Sequence, residues 1–151
     1  MKKWFIIALL LIPQYGYPTD LFERAVQLIK KYEGWHHARD QPYVGYGHRL
    51  LPTDNFSSDI SESFADSLLR IDLKKKCAVF RRFGVDSLLL GVLSYNVGEN
   101  KILRSKLVRE LEAGNRDIRE EYLSFRMYKG KIVWSLERRR KKEYELLNQY
   151  H

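Results

Sequence analysis

The chain has almost no cysteine. Cys77 is its only one in 151 residues, so no intramolecular disulfide can form, and it falls inside a helical pattern where a small core residue is wanted. No C-x-x-C and no H-E-x-x-H occurs, which argues against a structural zinc site; no metal and no cofactor is expected. Proline is sparse at four residues, there is no internal repeat, and no long linker divides the sequence. Acidic residues are in deficit, with 19 Asp and Glu against 27 Lys and Arg, a net charge of +8. A partner of negative charge is favoured by that imbalance, whether nucleic acid, anionic membrane or a cell-wall polymer. No RRM, zinc-finger or bZIP pattern is present, so nucleic acid is not expected. Long apolar runs are also missing. The longest, Trp4 to Ile12, spans nine residues behind Lys2 and Lys3 and is broken by Pro13. It is too short for an ordinary membrane span and suits the apolar region of a secretory signal. Residues 1–17 are therefore expected to be a signal peptide, with an uncleaved anchor as the alternative, and 18–151 one exported domain.

What is present fits one domain with a real core: 44% of residues are hydrophobic and 13% aromatic. Helical periodicity predicts a helix from about Leu21 to Glu33, opened by an Asp20/Glu23 capping box and stopped by Gly34. A second helix is expected from Glu62 to Arg82, capped by Asp59 and burying Phe64, Leu68 and Ile71 with Ala65, Leu69 and Val79. Asp86 should cap a third, Ser87 to Tyr95, apolar almost all round and hence central. Shorter helices are expected at 105–113 and 117–127, then a turn at 129–131 and a final basic helix from Ser135. Residues 41–50 read as extended, with Tyr43, Gly45 and Gly47 on one face and Val44, Tyr46 and His48 on the other. A strand face carrying two glycines admits something close to the backbone. The sum is an α-rich α+β domain with one small sheet near its N-terminus.

Polar chemistry gathers between the first two helices, in YEGWHHARDQPYVGYGH, residues 32–48. Glu33 falls within about 20° of Phe22 around its helix, so a carboxyl group ends the apolar stripe. Periodicity alone leaves open whether it is catalytic or a surface residue at a helix end. Asp72 lies on the apolar side of the second helix, an odd place for an acid without a partner.

Glu33-Gly34, then Gly45-Tyr46-Gly47-His48, then ISESFADSLLRIDL, Tyr95-Asn96-Val97-Gly98-Glu99, SKLVRELEAGN and KGKIVWSLERRRKKE, in this order over residues 20 to about 148, resemble the phage-type lysozymes, glycoside hydrolase family 24. The closing L-x-R-R-R-x-x-E makes the match more specific than G-Y-G-H alone. The resemblance implies a lysozyme-like fold, a small hairpin lobe beside a helical lobe with the substrate between. It implies a bacteriolytic muramidase whose partner is peptidoglycan, cut between N-acetylmuramic acid and N-acetylglucosamine. A monomer, periplasmic or secreted and not stably inserted in a membrane, would fit this role.

Carried over residue by residue, the resemblance makes Glu33 the general acid. Glycoside cleavage needs a carboxylic acid that still holds its proton, and a Glu on an apolar stripe at the negative end of its helix suits that need. Asp40 takes the place of the second carboxylate, but only six residues separate it from Glu33. The loop is several residues shorter than is usual in the family, and Tyr43 stands where a threonine is usual. An ordinary turn Asp is the alternative, and His36 or His37 could orient water instead. His48 is matched to a structural contact with Asp72. Tyr43, Gly45, Gly47, Tyr95 and Asn96 are candidate substrate contacts; Tyr95 as core and Asn96 as a helix cap is equally open. The charged run Arg138 to Lys142 reads as a solvated face or as attraction to an anionic wall. Two further readings stay open: a lytic transglycosylase on the same scaffold, and a peptidoglycan-binding protein of little activity.

Overall fold

The computed structural model describes residues 18–149; the expected signal segment lies outside them. Helix α1 runs Thr19–Glu33 and buries Ala25, Val26, Leu28 and Ile29. The expected capping box does not form. Pro18 precedes the helix without a side-chain cap, Asp20 pairs instead with Arg24 at 2.8 Å, and Glu23 with Arg70 of the next helix at 2.9 Å. Both acids have a guanidinium within reach, a stronger partner than a backbone N–H.

After α1 the chain makes a short 3₁₀ turn at Ala38–Asp40 and a hairpin of β1, Tyr43–Val44, against β2, His48–Arg49. Pairing is antiparallel, Tyr43 opposite Arg49 and Val44 opposite His48. The alternation expected through 41–50 is therefore interrupted. Gly45 and Gly47 have φ of +56° and +88° and form the bend itself, not one strand face. His36 bridges back to Gly45 through two backbone hydrogen bonds of 2.7 and 3.0 Å, which gives the ribbon a third backbone layer.

Helix α2, Glu62–Val79, is capped by Ser61, whose Oγ accepts from Phe64 N at 3.2 Å, and not by Asp59. Its buried stripe is Ala65, Leu69, Leu73 and Cys77; Phe64, Ile71 and Val79 are largely exposed, against expectation. The stripe is set by α3, Asp86–Val97, which is buried from Asp86 to Ser94 and forms the centre of the molecule. The two helices touch where Gly91 faces Cys77: a Cβ at 91 would collide with the Cys77 sulfur. Residues three and four apart along α2 share the face that this contact turns inward. Helix α2 stops at Val79, short of Arg82, and a 3₁₀ turn at Arg81–Phe83 leads to Gly84 at φ +58°.

Helices α4, Glu99–Leu103, α5, Lys106–Glu112, and α6, Arg119–Leu123, close the far side. The helix expected over 117–127 is thus short, and it gives way to a 3₁₀ turn at Ser124–Arg126. A second antiparallel hairpin follows, β3, Met127–Tyr128, against β4, Lys131–Ile132. Only its turn is expected from the sequence, because strands of two residues leave no alternation to detect. Helix α7, Trp134–Leu147, returns across the core against α1, α3 and α6. The architecture is the α+β, lysozyme-like arrangement, a small hairpin lobe on a helical body. Among the described residues no helix is long and apolar enough to cross a membrane, and no cluster of His, Cys, Asp and Glu could hold a metal ion.

Candidate active site

Glu33 is the last residue of α1, and Gly34 at φ +66° turns the chain away immediately after it. The bend of the first hairpin comes back over this carboxylate. A Cβ on Gly47 would lie 3.7 Å from both Cγ and Oε2 of Glu33 and 3.5 Å from Cε1 of Tyr95. With φ at +88° as well, position 47 favours glycine for two reasons. Three elements therefore converge on the carboxylate: the end of α1, the hairpin bend and the C-terminal turn of α3. Tyr95 fixes two of them by donating its hydroxyl to the carbonyl of Tyr46 at 2.9 Å. Burial, and then the charges of Asp72 and Glu33, push the Tyr95 phenol well above its ordinary range, so it remains a donor.

The surroundings of Glu33 are not the apolar ones expected from its stripe. Arg139 of α7 brings Nη2 to 2.7 Å from Glu33 Oε1. The two are close enough for an ion pair, but the N–H does not point at the oxygen, and neither buried atom has an aligned hydrogen-bond partner. Arg139 is held elsewhere. Its Nε donates to Glu143 Oε1 at 2.8 Å, and its guanidinium lies 5.3 Å from the centroid of the Tyr32 ring. Glu143, fully buried, also accepts from Arg140 Nη1 at 2.7 Å and from the hydroxyl of Tyr122 at 2.9 Å. Arg140 reaches on to Asn96, Nη2 to Oδ1 at 2.6 Å. Burial opposes the charge of Arg139, but Glu143 and Glu33 outweigh it and hold that guanidinium above its ordinary range. The charged run of α7 is therefore divided. Arg138, Lys141 and Lys142 face solvent, while Arg139 and Arg140 lie in the interior beneath the carboxylate.

The other residues singled out in the sequence are placed as follows. Asp40 accepts from the backbone N–H of His37 at 2.7 Å and so closes its own 3₁₀ turn, which is the geometry of a turn Asp. Tyr43 is exposed, its ring 6.0 Å from that of His36. Nδ1 of His36 lies 3.3 Å from the carbonyl of Gly45, and His37 faces solvent. Gly45 does not open onto the carboxylate. A Cβ there would lie 2.6 Å from Cβ of Ala65, so this glycine is the point at which the hairpin seats on α2. His48 Nδ1 is 2.6 Å from Asp72 Oδ2, and its Nε2 is 3.1 Å from Asp54 Oδ2. Burial opposes a charge on His48, but the two carboxylates outweigh it and raise its pKa above the ordinary value.

Sequence reasoning missed Arg139, Arg140, Glu143, Tyr122 and Asp54. A signal for the first three was present. Glu143 follows Arg139 by four residues and Arg140 by three, so both guanidiniums can reach it from one helix face. Nothing local marks Tyr122 or Asp54, whose contacts come from tertiary placement.

A carboxylate where a hairpin lobe meets a helical body, overlaid by a glycine bend and braced by buried arginines, belongs to a lysozyme-like fold. The phage lysozyme family model matches residues 30–143, and the chain belongs to that family. The fold is similar to the muramidase domain of SpmX from Asticaccaulis excentricus, at 22% identity over 82% of this chain and 94% of that one, TM-score 0.65. It is also similar to the endolysin from Escherichia coli O157:H7 phage FAHEc1, at 21% identity over 90% of this chain and 97% of that one, TM-score 0.67. No curated protein matches.

Proposed function

We propose that this chain is a peptidoglycan hydrolase, a muramidase that cleaves the β-1,4 bond between N-acetylmuramic acid and N-acetylglucosamine, with Glu33 as general acid. The observation that carries this reading is the convergence of Glu33, Gly47 and Tyr95 at the junction of the hairpin and the helical body. The protonated Glu33 carboxyl gives its proton to the glycosidic oxygen as the bond to the muramic acid C1 breaks. The leaving sugar departs as a neutral alcohol, and positive charge develops on the ring that remains. Gly47 leaves space for a sugar directly over the carboxyl group. Arg139 steadies the carboxylate left after proton transfer. Tyr43, Gly47, Tyr95 and Asn96 line the proposed substrate path, and Gly45 contributes by seating the hairpin. The enzyme acts as a monomer outside the cytoplasm, consistent with a signal-like start and a basic surface suited to an anionic wall.

The fate of the charged sugar separates two chemistries. In a hydrolase Asp40 orients water to C1. Its carboxylate is already engaged by the backbone of His37, which favours a second reading, attack on C1 by the sugar's own 6-hydroxyl, whose proton passes to the Glu33 carboxylate, to form a 1,6-anhydro end. Digestion of purified sacculi distinguishes them. Glu33→Gln should lose activity by roughly 10²–10⁴ while retaining wall binding; activity within about fivefold of wild type removes Glu33 from the reaction. Asp40→Asn should abolish release of reducing ends if Asp40 holds the water. Near-normal activity with anhydro ends would select the transglycosylase. Wall binding by the wild type with no loss of turbidity would leave only a binding protein.

A further inference from the structure

The second hairpin has no part in the site described above, and its exposure is not explained by folding. Met127 and Ile132 form one cross-strand pair and Tyr128 and Lys131 the other. In an antiparallel ribbon these pairs point to opposite faces, yet all four residues are exposed. Met127 and Ile132 are each 43% accessible, Tyr128 62%, and Trp134, the first residue of α7, 70%. A two-stranded ribbon with neither face on a core is marginal in water. This one is nonetheless held in shape. Both residues at its tip have positive φ, +47° at Lys129 and +76° at Gly130, as a twisted two-residue hairpin turn requires. Its base is closed by the hydrogen bond from Val133 N to Arg126 O at 2.9 Å, and Arg126 is tied to Glu137 of α7 at 2.7 Å. The result is a fixed projection that carries two aromatic and two aliphatic side chains into solvent.

Charge indicates what covers it. Residues 124–136 contain Arg126, Lys129 and Lys131 and not one carboxylate. Arg138, one turn further along α7, is exposed. Glu137, the nearest acid in sequence, is buried and already neutralised by Arg126 and Lys141. Aromatic rings with polar edges, aliphatic side chains and lysines at one projecting tip are the residue types that settle at the boundary between lipid headgroups and acyl chains. A sugar polymer would use the rings but has little use for Met127 and Ile132. We propose that the β3–β4 hairpin and Trp134 form a docking surface for an anionic lipid bilayer. The aromatic and aliphatic side chains sit in the interface, and Lys129, Lys131 and Arg138 meet headgroup phosphates. The chain adsorbs to the surface by this contact and does not span it. The proposal stands independently of the reaction assigned to Glu33.

The test uses the full chain with vesicles of phosphatidylcholine alone or mixed with phosphatidylglycerol. Because the apolar N-terminal segment is common to every variant, only differences between variants are read. Co-sedimentation with the anionic vesicles should weaken at least tenfold in Y128S/W134S. K129Q/K131Q should weaken it by about fivefold for each lysine removed, and high salt should act in the same direction. In a W4F/W35F background, in which Trp134 is the one remaining tryptophan, anionic vesicles should shift its emission to the blue. Equal binding by wild type and both hairpin variants, or no shift of Trp134, overturns the proposal. Loss of sacculus binding in Y128S/W134S with vesicle binding intact also overturns it, by making the hairpin a glycan ridge.

Discussion

Among the described residues two hairpins have strands of equal length, and they do opposite things. Each has strands of two residues joined by a tight bend. The first is pressed into the body. Val44 is fully buried, Gly45 meets Ala65, Gly47 lies over Glu33, and His48 is gripped from both sides. The second leaves all four of its strand residues exposed. Strand pairing is therefore not what gives a short ribbon its role. The first is specified by what lies beneath it, which fixes the Gly47 bend over the Glu33 carboxylate. The second is specified by its turn and its anchored base, and it keeps its side chains available.

The sharpest way to break the contrast is at the two bends. Gly45→Ala places a Cβ 2.6 Å from Ala65 Cβ, at a φ of +56°. Overpacking and left-handed strain together should cost roughly 2–5 kcal/mol. The hairpin would have to lift from α2, so activity on sacculi should fall with stability. Gly130→Ala has a similar φ, +76°, but meets no atom within 4 Å. Strain alone remains, about 1–2 kcal/mol, and turnover should be unchanged. Denaturant midpoints of the pair, measured with one m value, decide the matter; equal losses would show that packing beneath the first hairpin does not matter.

The next effect is smaller and depends on pH. His48 joins the first hairpin to α2 through Asp72 and to the following loop through Asp54. Folding raises its pKa above the ordinary 6.5: burial works against the charge, and the two carboxylates overcome it. A group whose folded pKa is raised contributes stability that is complete below its unfolded value. That contribution is lost as pH rises through the folded value. His48→Gln should therefore cost roughly 1–3 kcal/mol near pH 6, with a smaller gap to wild type near pH 9. Asp54 is held below its ordinary range by the Leu51 N–H and then by His48, so its own titration lies at lower pH. A melting-temperature difference that stays constant from pH 6 to 9 would exclude a charged His48 in this contact.

Legibility in the sequence follows the same division. The long helices could be read because their apolar stripes persist for several turns, and the buried centre could be read in α3 because it is apolar on every side. The capping boxes failed for a physical reason: Asp20 and Glu23 had guanidiniums nearby, and Ser61 was better placed than Asp59. The stripe of α2 is legible in part: Ala65 and Leu69 are buried as expected, whereas Phe64, Ile71 and Val79 are apolar residues outside the face that meets α3 at Cys77. At the candidate site, Glu33 was visible as a carboxyl group ending an apolar stripe. Its brace was not, because Arg139 and Arg140 sit in a run of five basic residues that looks solvated from end to end. Glu143, spaced to receive both, was the clue. The second hairpin was the least visible element, since two-residue strands have no period.

Ile132 of the second hairpin and Val44 of the first are both β-branched residues in two-residue antiparallel strands. Local strand propensity therefore treats them nearly alike, and threonine, also β-branched, preserves it. Their surroundings differ: Val44 is 0% accessible and Ile132 43%. Val44→Thr keeps the shape but buries a hydroxyl, which costs roughly 1–3 kcal/mol if it finds no partner. Ile132→Thr places its hydroxyl in water and should change stability by no more than about 0.5 kcal/mol in either direction. Equilibrium unfolding of the two variants in the same buffer measures the difference directly. If Ile132→Thr destabilises as much as Val44→Thr, Ile132 packs on the folded body in solution, and the hairpin is not the free surface that the bilayer contact requires.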